Sequence, residues 1–396
     1  MLPRFGHIQL CSEPSSGRCQ ILLAFFSASS FVIECLLLLC LCNHRSPVTP
    51  PPLMMRRGFR SSFTWLRAPV LGTFLVLGYL LLPPQVDRRL QTGFTPGHPT
   101  NSDLCVPSPS AEKIVVAIKT GATEAEEKIP IQMQTTLRCV KNLLFFSDLE
   151  QTLGQYHLYD ALDAVSASVA DNNTDFNFYR KQQQLWRSDR NISILQGVRN
   201  PDCPDDLAAW TLDKYKNIHI LEKTWAMKPD MDWYIFIDAD TYIFWSNLLM
   251  WLNTLDPMKK SYFGSEVSIS GVRFAHGGSG YVLSRAVMHE LVAIHNGTAA
   301  RWDPEIHDEC CGDLMLGRAL EEYGTVLQDV WPLMSGETLS TMPFGPGTPE
   351  YWCHPALSMH HLTPSDMKAL TAFEGRRLNK SVGGGRTSFL LRGAKA

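Results

Sequence analysis

The chain has 396 residues, of which 45% are hydrophobic and 19% charged, with a formal net charge of −3. That length and apolar content support one large or two modest folded domains. The near-neutral balance, with no dense Lys/Arg stripe beyond the N-terminal flank, excludes nucleic acid as a partner.

Two apolar segments precede residue 85. Ile21 to Cys42 has about membrane length but is interrupted by Ser27, Ser29, Ser30 and Glu34, whereas Ala68 to Leu82 is shorter and cleaner. Arg56, Arg57, Arg60 and Arg67 stand before the second segment. Positive charge on that side holds residues 1–67 in the cytoplasm and predicts a single-pass type II anchor over 68–82, in a secretory-pathway membrane. A cleaved signal peptide is the rival reading, since the apolar core is short for a span. Met54-Met55, directly before the arginines, opens a further one in which translation starts there and residues 1–53 are an extension. From Pro83 to Ser110 the composition turns to Pro, Gly, Gln, Thr and Ser, as in a stem. A folded domain over 111–375 and a flexible tail over 376–396 complete the division.

Six cysteines follow the anchor, Cys105, Cys139, Cys203, Cys310, Cys311 and Cys353, compatible with up to three bridges of unspecified connectivity. None forms a C-x-x-C pair, which argues against zinc. Sequons at Asn172, Asn191, Asn296 and Asn379 lie on the same side of the anchor. Together these features favour an oxidising, glycosylating compartment.

The domain opens with Lys113 to Ile118, an apolar run that predicts a strand, closed by Lys119-Thr120-Gly121. Such a turn after a first buried strand is either an ordinary turn or the place where α/β folds hold a nucleotide. Gln132 to Val140 reads as a helix and Asn142 to Phe146 as a second strand, with Ser147-Asp148-Leu149-Glu150 at its end. Strand and helix alternate, which argues for an α/β fold. Residues 155–210 are rich in Asp, Asn, Gln and Arg and predict helices with exposed loops. Leu212 to Lys228 reads as a helix on which Lys223 and Lys228 are either solvated or face a phosphate.

Trp233-Tyr234-Ile235-Phe236-Ile237 then runs apolar without alternation into Asp238-Ala239-Asp240, as a strand buried on both faces does when it ends at a site. Residues two apart on an extended chain point the same way, so both carboxylates can converge on one cation. The plain alternative is a strand followed by a polar turn. Ser246 to Leu255 reads as a helix and Tyr262 to Ser265 as a strand. Gly277-Gly278-Ser279-Gly280, before a helix over Ser284 to His295, permits close approach of backbone to a ligand or forms a tight structural turn. His289 and His295 are six apart and so face differently, which rules out a zinc-protease helix. His307 to Gly317 is an acidic turn entering a helix that runs through Glu322, and Ser358-Met359-His360-His361-Leu362 brings paired histidines near the end of the domain.

In this order, Asp238-Ala239-Asp240, Gly277-Gly278-Ser279-Gly280-Tyr281, Gly312-Asp313-Leu314 with Gly317, and Ser358-Met359-His360 resemble the Fringe and core 1 β1,3-galactosyltransferase family, glycosyltransferase family 31. The resemblance runs from Ile114 to Leu362 and is nearest to fungal relatives of the core 1 enzyme. It implies an α/β, GT-A-type fold with a mixed, mainly parallel sheet, and a Golgi type II protein. It implies inverting, Mn²⁺-dependent transfer of a sugar, galactose first, in β1,3 linkage from a UDP-sugar to a glycan or glycoprotein acceptor. A homodimer is compatible with it.

Carried over by position, Asp238, Asp240 and His360 become the metal ligands and Asp313 the general base. The resemblance also makes Lys119, Thr120 and Asp148 nucleotide contacts, and the residue reading adds Lys223, Ala239, Gly277 and Gly278 as candidate nucleotide-sugar contacts. Gly312 stands where relatives often carry an acid, which leaves Glu309 as a second candidate base, and His361 is a second candidate ligand. A luminal chaperone or a carbohydrate-binding protein on the same fold is the non-catalytic alternative. Trp233, Tyr281 and Trp352 are candidates for stacking on sugar rings or for core packing.

Overall fold

The computed structural model describes residue 105 and residues 108–201, 204–342 and 354–383, with side chains to 377. The expected anchor, most of the stem, Trp352, Cys203, Cys353 and the Asn379 side chain lie outside the described residues. Among the described residues no helix is long and apolar enough to cross a membrane.

An eight-stranded mixed sheet in the order β11-β7-β10-β5-β1-β2-β4-β3 forms the centre. Its strands are β1 (Ile114–Lys119), β2 (Asn142–Ser147), β3 (Gln151–Leu153), β4 (Tyr156–Asp160), β5 (Trp233–Asp238), β7 (Tyr262–Gly264), β10 (Tyr281–Ser284) and β11 (Leu327–Asp329). β1 is flanked in parallel by β2 and β5, while β10 runs antiparallel to β5 and β7, and β3 to β4.

The unbroken apolar runs follow from burial on both faces. Val115, Ala117, Tyr234 and Phe236 enter one core layer and Ile114, Val116, Ile118, Trp233, Ile235 and Ile237 the other. The first layer is covered by α3 (Ala208–Met227), α6 (Thr298–Ile306) and α7 (Gly312–Glu322), through residues such as Leu212, Tyr215, Trp302 and Met315. The second is covered by α1 (Ala125–Gln134) and α4 (Trp245–Leu252), through Ile129, Leu248 and Leu252. Helix α2 (Asn177–Asp189) lies between β4 and α3 in the chain, and α5 (Arg285–Met288) continues as a π-helical turn, His289–Ile294. A hairpin of β8 (Glu266–Ile269) and β9 (Val272–Ala275) stands apart from the main sheet. A small sheet joins β6 (Tyr242–Ile243), β12 (Met334–Ser335) and β13 (Ser358–Met359).

Several elements differ from the sequence reading. The helix expected over 132–140 lies earlier, at Ala125–Gln134 with Pro130 inside it, and the chain breaks at Thr135 before a 3₁₀ turn, Thr136–Cys139. The section expected to hold only helices and loops begins with β4, whose pairing with β3 was not anticipated. The closing helix α8 (Pro364–Gly383) runs past the boundary expected at 375. Trp233 and Tyr281 are core residues, 4% exposed each, so neither is free to stack on a sugar.

Candidate active site

The parallel strands β1, β2 and β5 end together, so their C-terminal turns converge. Lys119 is paired across from Asp238 in the strand register, and its ammonium lies 3.4 Å from the Asp238 carboxylate. It also pairs with Asp213 of α3. Burial opposes the Lys119 charge, but Asp213 and then Asp238 outweigh it and hold the group well above its usual range. One residue past β5 the chain turns. Ala239 donates its N–H to the Lys119 carbonyl at 3.0 Å, and the Gln132 side chain donates to the Ala239 and Thr241 carbonyls at 2.7 and 2.9 Å. With its methyl in the core layer as well, Ala239 is turned inward, and the structure spends it on shaping the turn.

That turn presents Asp240 to a histidine from far along the chain. β13 pairs antiparallel with β6, Met359 opposite Tyr242, and the Leu362 N–H donates to the Asp240 carbonyl at 3.1 Å. His360 Nε2 consequently lies 3.0 Å from Asp240 Oδ1 and 3.9 Å from Asp238 Oδ2. Burial disfavours the Asp240 charge, yet the hydrogen bond and charge of His360, with Lys128 at 3.2 Å, hold its carboxyl well below the usual carboxylate range. His361 adopts a left-handed backbone (φ 55°), and its ring packs on His360 with centroids 3.8 Å apart.

These groups fit a divalent cation. Asp240, His360 and His361 each offer a ligand atom, all within 4.8 Å of one another. His360 Nδ1 is buried without a hydrogen-bond partner among the described residues. Each carboxylate of the pair carries its own ammonium, Lys119 on Asp238 and Lys128 on Asp240, so positive charge already sits at this position. Oxygen donors with imidazole suit Mn²⁺.

The glycine-rich turn closes the third side. A Cβ at Gly278 would lie 2.2 Å from His360 Cε1, so only glycine leaves room for that ring. Thr241 Oγ1 donates to the Gly278 carbonyl at 2.7 Å and Ser358 Oγ to the Ser279 carbonyl at 2.5 Å, tying the turn to both β6 and β13. His276, at the turn's start, accepts the Ser279 N–H at Nδ1 (3.1 Å), and burial holds its pKa below the usual histidine value. The Gly277 N–H donates to Asp313 Oδ2 at 2.9 Å. Asp313 reaches that point because α7 closes tightly on the hairpin: a Cβ at Gly317 would lie 2.5 Å from the Phe274 Cβ.

Behind β1 and β2 lies a buried polar cluster. Asp148 is fully buried and accepts from Ala122 N at 2.6 Å and from Gln182 at 3.0 Å. Lys216 of α3, 1% exposed, donates to the Thr120 carbonyl at 3.1 Å and lies 3.0 Å from Asp213 and 3.9 Å from Asp148. Burial works against its charge, and Asp148 and Asp213 raise its pKa in spite of it.

The structure therefore brings together Asp238, Asp240, His360, Gly277, Gly278, Asp313, Lys119 and Thr120, with Asp148 behind the Thr120 turn. It does not bring Lys223 there: that side chain pairs with Asp163 and lines a separate cavity of about 1080 Å³ with Asp160, Tyr179 and Arg187. Glu309 is held by Arg318. Lys128, Gln132, Asp213, Lys216 and His276 escaped the sequence reading. Lys216 stands one turn from Asp213 and from His219, and Gln132 one turn from Lys128, so each reads in the sequence as part of an ordinary polar helix face.

A family model described as Fringe-like matches residues 110–330. Among solved structures, the chain is similar to a glycosyltransferase involved in the glycosylation of the major capsid of PBCV-1, at 10% identity and a TM-score of 0.27, over 66% of this chain and 98% of that one. It is also similar to the glycosyltransferase GlyE of Streptococcus pneumoniae, at 11% identity and a TM-score of 0.32, over 68% of this chain and 63% of that one. At such scores neither bears on substrate or mechanism.

Proposed function

Because the chain belongs to the Fringe-like family, a family of glycosyltransferases, we propose that it is an inverting, Mn²⁺-dependent hexosyltransferase. In this reading it passes a sugar, galactose first, from a UDP-sugar to a glycan or glycoprotein acceptor in β1,3 linkage. The observation that carries the reading is the meeting of Asp240 with His360 at 3.0 Å, and of Asp313 with the adjacent Gly277 turn at 2.9 Å, from segments far apart in the chain.

Asp240 and His360, with Asp238 beside them and His361 as the alternative imidazole, would hold the metal. When bound, the cation supplies Lewis-acid stabilisation of the charge that develops on the departing diphosphate. His360 and Lys128 keep the Asp240 carboxylate ionised, and Lys119 and Lys128 add positive charge at the same place. Gly278 leaves room for the His360 ring, and the Gly277 N–H orients the Asp313 carboxylate. Asp313 then takes the proton of the acceptor hydroxyl as its oxygen attacks the anomeric carbon from the face opposite UDP, whose bond breaks in the same step. A full set of acids argues against a chaperone that keeps the fold without the chemistry.

A luminal setting is supported by the Cys105–Cys139 and Cys310–Cys311 disulfides and by exposed sequon asparagines at Asn172, Asn191 and Asn296. A general base acts only during transfer, so Asp313→Asn should retain Mn²⁺-dependent UDP-galactose binding and lose transfer by about 10²-fold or more. Transfer at the parent rate by the variant would remove Asp313 from this role, and inactive but folded Glu309→Gln would move the role to Glu309.

A further inference from the structure

The turn that delivers Asp313 is closed by a disulfide between adjacent residues, Cys310 and Cys311. A bond between neighbouring Sγ atoms closes a small ring through the peptide that joins the two residues. It removes backbone freedom from that one junction instead of closing a long loop, so its effect is local.

The location of that stiffness matters. Cys311 is the N-cap of α7, with an extended backbone (φ −152°, ψ 138°), and its side chain makes no capping hydrogen bond. Its carbonyl accepts from Met315 N at a long 3.4 Å. The first turn of α7 therefore lacks the polar side-chain cap that fixes most helix starts. Gly312 is pressed from behind, since a Cβ there would lie 2.5 Å from the Lys214 carbonyl oxygen. The turn is anchored further out by Lys214 Nζ on the His307 carbonyl at 2.7 Å and by the Glu309–Arg318 ion pair. Within the helix the Leu314 N–H donates to Asp313 Oδ1 at 3.0 Å, and between the outer anchors and Asp313 the disulfide is the covalent constraint on the backbone from which the carboxylate projects.

We infer that the Cys310–Cys311 disulfide is a positioning element for transfer, holding Asp313 against the Gly277 N–H. This rests on the reading of Asp313 as the base. Donor binding depends on Asp238, Asp240 and His360, none of which touches the disulfide, so it is independent of the bond. Acceptor activation is not.

The test uses the full chain and its Cys310→Ser/Cys311→Ser variant, with Mn²⁺, UDP-galactose and p-nitrophenyl α-N-acetylgalactosaminide. Alkylation without reduction should leave both cysteines of the parent unlabelled, and labelling of both overturns the inference. In the double variant the Gly277 amide should exchange with deuterium at least about tenfold faster. Transfer should fall about 10- to 100-fold in kcat, the scale of a misplacement near 1 Å, with the KM for UDP-galactose unchanged and slow donor hydrolysis retained. Unchanged protection at Gly277 overturns the inference whether or not the substrate assignment holds. Asp313→Asn run alongside separates the two claims. Parent-rate transfer by Asp313→Asn defeats the base assignment, whereas an inactive Asp313→Asn beside a fully active double serine variant defeats the disulfide's role.

Discussion

Gly278→Ala isolates the fit between the glycine turn and the histidine. The added methyl carbon would stand 2.2, 2.5 and 2.6 Å from three atoms of the His360 ring, where ordinary contact begins at 3.4 Å. Something must therefore move by about 1.2 Å, the difference between those two distances. The Gly278 backbone is tied to Thr241 and is not in the left-handed region, so alanine is allowed by conformation and the ring is the part that yields. A shift of that size takes a 3.0 Å contact with Asp240 out of bonding range. Overpacking of this kind costs about 1–3 kcal/mol, or roughly 2–10 °C in Tm for a domain of this size. Mn²⁺ affinity, measured by calorimetric titration, should fall by about 10- to 100-fold, the effect of misorienting one ligand. In a His360→Ala background the three nearest atoms are gone, so the same substitution should cost clearly less in Tm. Parent-like Tm and Mn²⁺ affinity in Gly278→Ala, or an equal penalty in both backgrounds, would refute the packing argument.

Asp240→Ala should abolish Mn²⁺-dependent UDP-galactose binding and leave the circular dichroism spectrum unchanged. A titration identical to that of the parent, with and without chelator, would take the ion away from this turn. Burial raises the Asp160 carboxyl to about 6, against an unfolded value of about 3.9. The folded state thus holds that proton more tightly, so the contribution is fully present below about pH 4 and is lost by about pH 6, a fall of about 3 kcal/mol. Asp160→Asn should flatten urea-denaturation stability across that window relative to the parent, and an unchanged slope would assign it to another group.

What could be read from the sequence and what could not divide along physical lines. β1 and β5 announce themselves because both their faces are buried, and Asp238 and Asp240 because they end such a strand. β4 is missed because Tyr156-His157-Leu158-Tyr159-Asp160 lies beside the edge strand and buries its residues unevenly. α1 is misplaced because a proline inside a helix is locally unfavourable, whereas tertiary bonds from Gln132 to the Ala239 and Thr241 carbonyls hold the helix with Pro130 in it. Lys216 and Asp213, one turn apart on α3, look like a solvated ion pair, and nothing in the periodicity tells that Lys216 is buried against the Thr120 carbonyl, so it stays hidden. The pairing of His360 with Asp240 rests on two-residue strands, too short to leave any pattern. Adjacency of Cys310 and Cys311 is plain in the sequence, but which partners they choose is a matter of three-dimensional reach.

The late position of β13 in the chain also sets an order of events during synthesis. The eight-stranded sheet is complete once β11 has formed, yet residue 360 emerges about thirty residues later. Until then Asp240 has Lys128 as its cationic neighbour and no imidazole. On the proposed metal assignment, a chain extended only as far as β11 still lacks the imidazole of the site, which arrives when two residues of β13 pair with β6.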